Sequence, residues 1–322
     1  MLFLAENDIL QAVSFSEVMD AVESAMVLCE KNEFHMPPRA HVDYGENTLL
    51  TMPCFINEIF GTKILTVFPD NAARKAPVID GVMLINDGET GAPLALLNGR
   101  TLTALRTGAL GGTRIRHLTP EDVKTVGIIG AGVQGYYQAL CAAAARKISD
   151  IFLYDLYPDV LERFQEKLSQ ALPGVGLHKA ANATELVEAC EVIITTTTSQ
   201  QPVIPDDREL FKGKHFVGIG SFKPNMREYP QGLFPMLDDL FIDTEHGKHE
   251  TGDLIVPIEN GWYEERRIRT LGSLLLNPEG KEEAVYGTTL FKSVGMALYD
   301  LCAAQLVYHN ARDKGLGQEI DL

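Results

Sequence analysis

An α/β fold is predicted, with a doubly wound parallel sheet placed behind a β-rich α+β domain, and three observations predict it. From Lys124 onward, apolar runs alternate with helical patterns: KTVGIIGAG, VQGYYQALCAAAARK, DIFLYD, PDVLERFQEKLSQAL. Alternation at this rhythm is the mark of βαβ units. The first run enters a glycine turn, VGIIGAGVQG, with the spacing G-x-G-x-x-G at Gly130, Gly132 and Gly135. Ahead of it, from Pro37 to about Leu97, short β-rich runs are separated by Gly, Pro, Asn and Asp, the texture of antiparallel or mixed strands.

The elements follow in order. Val18, Met19, Val22, Ala25, Met26 and Cys29 recur at helical spacing, so residues 16 to 34 read as an amphipathic helix with Ser16 as its cap. TLLTMPCFI, GTKILTVFP and GVMLINDGETGAPLALL read as strands, and NDGETG is a hairpin signal because its Asn, Asp and Gly tolerate positive φ. A helix is expected over about 99 to 117, followed by a capping sequence at TPED. EVIITTTT, KHFVGIGS and DLFIDTE supply later strands. The terminal stretch from about 288 to 309 reads as one long apolar helix, buried and returning to the first domain or covering a second subunit.

Composition narrows the function classes. Hydrophobic residues at 45% and charged residues at 22% are those of an ordinary folded protein. A net charge of −16 argues against a nucleic-acid or anionic-membrane partner, since both need a positive face. Cys29, Cys54, Cys141, Cys190 and Cys302 are scattered, with no C-x-x-C pair, which suits a reducing cytosol. The N-terminus MLFLAENDIL lacks a basic region and meets Glu6 and Asp8 early, unlike a signal peptide, and no apolar run approaches a membrane span. A cytoplasmic protein is expected.

The glycine turn has the right context for a dinucleotide. Gly130 permits the tight turn, Gly132 allows close approach of a pyrophosphate, and Gly135 lets the next helix pack closely. Ala131, Val133 and Gln134 complete the expected cradle. Asp155, at the end of the next strand, suits the ribose hydroxyls and favours NAD, as NADH, over NADP, whose 2′-phosphate would meet its charge. NADP is the alternative cofactor. Thr196 and Thr197, within the Thr195–Thr198 run, are expected on the nicotinamide side, with β-branched strand filling as the plainer reading.

The first domain offers three spaced cations, Arg39 in MPPRAHV, Lys63 in FGTKILTVFPDN and Arg106 in TLTALRTGALGG. Arginine presents a planar fork that suits a carboxylate, and a partly desolvated lysine can also give up a proton. In so acidic a protein, such cations converging on a cleft would be a specific device for a small carboxylate. His246 and His249 in EHGKHETGD lack a third convincing ligand, so no metal is expected there. His35 and His41 flank Arg39 and are candidates to touch substrate, with a surface or interface role as the commoner reading; Trp262 reads as a packing residue.

The ordered pair LLNGRTLTALRTGA and VGIIGAGVQG, with FGTKILTVFPDN before and TLFKSVGMALYDL after, resembles the ornithine cyclodeaminase and mu-crystallin family over nearly the whole chain. The resemblance implies a homodimer in which an NAD-binding Rossmann domain, residues 121–289, is inserted into a discontinuous substrate-binding and dimerisation domain, residues 1–120 plus 290–322. It implies that Arg39, Lys63 and Arg106 hold the substrate carboxylate and neighbouring nitrogen, with Lys63 as proton donor, and that Ser293 and Gly295 lie near the nicotinamide and substrate. Lys63 and Arg106 are the candidate catalytic residues.

One departure bears on the reaction. The cyclodeaminase branch carries an Asp that activates water; aligning on Pro224 of GIGSFKPNMRE puts Phe222 at that position, and an aromatic ring accepts no proton. Glu228 close by reads as a surface charge pairing with Arg227 or Lys223. Simple hydride transfer does not need that base. The expectation is an NADH-dependent reductase of a small imino acid, such as 1-pyrroline-2-carboxylate, or an alanine dehydrogenase-like enzyme of amino acid metabolism. The alternatives are an ornithine cyclodeaminase, converting L-ornithine to proline and ammonia, and a non-catalytic mu-crystallin-like binding protein.

Overall fold

The computed structural model describes residues 1–74 and 76–321. The chain opens with β1 (Leu2–Leu4), α1 (Glu6–Ala12) and α2 (Phe15–Glu30). Ser14 rather than Ser16 caps α2: its hydroxyl accepts from Glu17 N while the Glu17 carboxylate accepts from Ser14 N, a reciprocal capping box that starts the helix earlier than its apolar stripe suggests. Then come β2 (Ala40–Tyr44), β3 (Asn47–Ile56), β4 (Ile59–Val67), β5 (Ile79–Asp87), β6 (Pro93–Asn98) and α3 (Gly99–Leu118). The NDGETG segment is the β5 to β6 turn. Asp87 Oδ1 accepts from the Glu89 and Thr90 amides there, and Gly91 takes φ +76°.

The chain continues through β7 (Thr125–Ile129), α4 (Val133–Ala145), β8 (Asp150–Tyr154), α5 (Pro158–Ala171), β9 (Gly176–Lys179), α6 (Ala183–Ala189), β10 (Val192–Thr195), β11 (His215–Gly218) and β12 (Asp239–Ile242). After α7 (Gly252–Glu259), β13 (Ile268–Thr270), α8 (Leu271–Leu276) and α9 (Lys281–Tyr286) come β14 (Thr289–Lys292), α10 (Ala297–Lys314) and β15 (Gln318–Glu319). The expected helix over 288–309 is therefore two elements. Thr289–Lys292 pairs with β11 and β12 as a buried strand, and the helix begins only after Gly295, whose φ is +74°.

The chain divides into two compact units, Met1–Arg106 with the segment that begins at Met296, and Thr107–Gly295. The division falls inside α3, earlier than the expected residue 120. Small residues explain this: a Cβ on Gly99 would touch the Gly81 backbone of the first unit, whereas one on Gly108 or Gly111 would strike Tyr137 or Gln138 of α4. The front of α3 thus packs on one core and its rear on another.

In the first unit the strand order is β15-β1-β6-β5-β4-β3-β2, antiparallel except for the β1–β6 pair. Helix α10 lies on β3, β4 and β5, and α2 packs against α10. In the second unit the order is β13-β12-β14-β11-β10-β7-β8-β9, with every pairing parallel. Its strands β10, β11 and β14 are buried throughout, which is why VIIT and HFVG read as continuous apolar runs instead of alternating ones. The chain winds from β7 out to β9, then crosses to β10 on the other side of β7, making a switch point between β7 and β10. Among the described residues, no helix is long and apolar enough to cross a membrane.

Candidate active site

Lys63 sits on β4, opposite Met52 and Met83, on the sheet face that α10 covers, and is 1% exposed. An ammonium in such surroundings needs a counter-charge. Asp300 of α10, fully buried, provides it: its Oδ2 accepts from Lys63 Nζ at 2.6 Å and its Oδ1 from Arg106 Nε at 2.9 Å. Arg39, half-buried just before β2, lies near enough for its charge to act on Lys63. The three cations of the sequence thus belong to one cluster within the first unit.

Their charges tune one another. Burial pushes the Lys63 ammonium down to about 8; Asp300 opposes this, while Arg106 and then Arg39 reinforce it. Burial alone would raise the Asp300 carboxyl, but Arg106, Lys63 and their hydrogen bonds outweigh it and hold the group below the usual carboxylate range. A lysine in this state gives up a proton near neutral pH, which an ordinary surface lysine does not do.

In the second unit the glycine turn follows β7. Gly130 takes φ +103°, a conformation open to glycine, and donates its amide to Tyr154 O at 3.0 Å. A Cβ on Gly135 would lie 2.3 Å from Gly130 O, so glycine is needed for close packing there. A Cβ on Gly132 would meet nothing, so its surface is open at the start of α4. That helix carries no side-chain cap and no acid in its first turn, and its leading amides, at Val133 and Gln134, face no competing carboxylate of their own helix. Open space, uncapped amides and the helix dipole fit a pyrophosphate. Beside the turn, Asp155 Oδ2 accepts from Ala131 N at 2.8 Å and Oδ1 from Tyr157 N at 2.9 Å, so the acid expected to hold a ribose is fixed next to the cradle. Thr196 Oγ1 donates to Gly130 O at 2.8 Å, tying the end of β10 to the turn across the switch point.

Ser293 and Gly295 lie in this second unit, just past β14. Asp243 holds them, accepting from Ser293 Oγ at 2.6 Å and from Gly295 N at 2.7 Å. Phe222 is 43% exposed, with Lys223 Nζ 5.7 Å from its ring centre. Glu228 differs from expectation. It is completely buried and accepts from the amides of Thr197, Gly220 and Ser221, so it forms no surface pair and its oxygens are committed. Asp253, also buried, accepts from Ser221 Oγ and from the Glu228 and Tyr229 amides.

Sequence reasoning missed Asp300, Lys292 and Asp243. Asp300 left a signal: it is a lone acid in the apolar stretch MALYDLCAA, and charges are not buried without partners. The other two left none beyond their residue type.

Residues 1–315 match the ornithine cyclodeaminase/mu-crystallin family. The chain is 33% identical to the Delta(1)-pyrroline-2-carboxylate reductase of Bacillus cereus, over 100% of both chains. Among solved structures, it resembles the Thermococcus litoralis Delta(1)-pyrroline-2-carboxylate reductase in complex with NADH and L-proline, with TM-score 0.92 and 31% identity over 99% of this chain and 100% of that one. It also resembles an archaeal alanine dehydrogenase dimer with bound NAD, with TM-score 0.90 and 27% identity over 100% of this chain and 99% of that one. With its glycine turn, its cation cluster and a match that runs nearly end to end, the chain belongs to the ornithine cyclodeaminase/mu-crystallin family.

Proposed function

We propose that this protein is an NADH-dependent reductase of a small imino acid, of the 1-pyrroline-2-carboxylate type or the open imine of an alanine-like product. The observation that carries this reading is the buried Lys63–Asp300–Arg106 cluster, in which a lysine poised near pH 8 lies beside an arginine fork. With Nε committed to Asp300, the Nη edge of Arg106 is the part suited to a substrate carboxylate, and Arg39 adds a second positive charge. Lys63 then delivers a proton to the imine nitrogen, and solvent restores it. When bound on the second unit, NADH supplies the hydride for the imine carbon, so that C=N becomes CH–NH with one hydride and one proton consumed.

Within the second unit, Gly130, Ala131, Gly132, Val133, Gln134 and Gly135 are proposed to hold the pyrophosphate and Asp155 the adenosine ribose. Thr196 and Thr197 are proposed for the nicotinamide side, and Ser293 and Gly295 for the substrate close to it. Similarity to two reductases and an alanine dehydrogenase supports the reaction class. Phe222 in place of a carboxylate, and the committed oxygens of Glu228 and Asp253, disfavour a cyclodeaminase, which must activate water.

A homodimer is proposed as well. The face of the seven-stranded sheet away from α10 exposes Val42, Tyr44, Leu49, Phe55 and Ile64 on β2, β3 and β4, with Val42 and Leu49 as direct cross-strand partners, as an apolar band. A second copy of that band is its natural cover, and a cytoplasmic setting suits the five free cysteines. The experiment is a paired assay: oxidation of NADH and of NADPH with 1-pyrroline-2-carboxylate, 1-piperideine-2-carboxylate or pyruvate plus amines, beside ammonia release from L-ornithine with NAD. Imine-dependent NADH loss without ammonia is expected. Ammonia with proline would make it a cyclodeaminase, and ligand binding without turnover a binding protein.

A further inference from the structure

We propose that Glu228, with Lys292 beneath it, is a positioning residue for the nicotinamide half of the dinucleotide, a role that rests on the cofactor reading above. A dinucleotide bound at this switch point runs along the carboxyl edge of the parallel sheet. Its pyrophosphate belongs at the turn after β7 and its adenosine ribose at Asp155 after β8. The other half must therefore extend over the ends of β10 and β11.

Glu228 acts at those ends. Its Oε1 accepts from Thr197 N at 2.7 Å and from Thr197 Oγ1 at 2.9 Å; its Oε2 accepts from Gly220 N at 2.9 Å and Ser221 N at 3.1 Å. These amides lie past Thr195 and Gly218, the last residues of the two strands. One carboxylate thus joins two loops that regular sheet bonding has already left. Every hydrogen-bonding partner named is a donor, an arrangement that favours the anion, as Lys292 does, against the burial that raises this carboxyl above its usual range. Lys292 Nζ sits 3.8 Å from Glu228 Oε2 and 3.4 Å from Asp253 Oδ2, is 1% exposed, and makes no hydrogen bond to the described residues. It is the buried counter-charge of the pair of carboxylates. Asp253 in turn accepts the Glu228 amide at 2.8 Å and Ser221 Oγ at 2.5 Å, closing the network. Burying such a network costs desolvation that an apolar core would avoid. What it provides, and an apolar core does not, is a fixed direction for each loop amide.

Glu228→Gln keeps the shape but replaces one acceptor oxygen with an NH2 group. The test compares calorimetric affinities for NADH and for ADP-ribose, which lacks the nicotinamide, and follows amide exchange in the cofactor-free protein. The expected result is a loss of NADH affinity of about tenfold, as for a charged hydrogen bond removed. ADP-ribose affinity should stay within about twofold on the same scale. Amide exchange should quicken at Thr197, Gly220 and Ser221 but not at Ala131. Equal weakening of both ligands, or of neither, would overturn the proposal. Should that variant fold poorly, Glu228→Gln with Lys292→Met removes the leftover charge and must show the same split between ligands. If the unaltered protein bound neither ligand, the cofactor reading would fall and this one with it. Binding by the unaltered protein without the split in the variants overturns this one alone.

Discussion

Asp300 joins Lys63 to Arg106, accepting from one at 2.6 Å and from the other at 2.9 Å on its two carboxylate oxygens. The acid comes from α10 near the end of the chain and the cations from β4 and α3. A single side chain therefore sets both the direction of the arginine fork and the proton affinity of the lysine.

The proton affinity predicts a pH profile. Imine reduction needs Lys63 protonated, a state present below pH 8 and lost as the pH rises through about 8. kcat/KM for reduction should fall on that limb, while oxidation of the amino acid, which needs the neutral amine, should rise. Lys63→Met should slow reduction by roughly 10²- to 10⁴-fold and abolish the limb. A profile flat to pH 10 would remove Lys63 as the acid.

Asp300→Asn tests the bridge. Losing the negative charge removes the attraction that favours the Lys63 proton, so the alkaline limb should move to lower pH. Two buried cations are left without their counter-charge, at a cost of about 3–5 kcal/mol in denaturant unfolding. An unmoved limb would mean that Asp300 only stabilises the fold.

For cofactor choice, Asp155→Ser should reduce the preference for NADH over NADPH by about tenfold or more in kcat/KM. Because Asp155 also fixes the Ala131 amide, the change should appear partly as weaker NADH binding. An unchanged ratio would contradict the ribose role.

The apolar band is tested by Ile64→Lys combined with Val42→Lys. Both side chains are exposed, at 36% and 56%, so the fold should survive while the sedimenting mass drops to that of one chain. A monomeric unaltered protein would dismiss the dimer.

Much of this was legible in the chain. The glycine spacing, the acid after β8 and the β/α alternation are local patterns, because a turn, a helix start and a strand each depend on a few neighbouring residues. The three cations could be picked out by type and by resemblance. What could not be read was their partner: Asp300 lies 237 positions from Lys63, and only the packing of α10 on the sheet brings them together. Glu228 was misread for the same reason. Beside Lys223 and Arg227 an acid looks like a surface charge, and only the folded ends of β10 and β11 supply the amides that hold it. The sequence by itself determined the fold class, the dinucleotide turn and the family. The tertiary structure decided which charges are buried and what each one holds, because burial and pairing are properties of segments distant in sequence, and a charge leaves water only where such a partner waits for it.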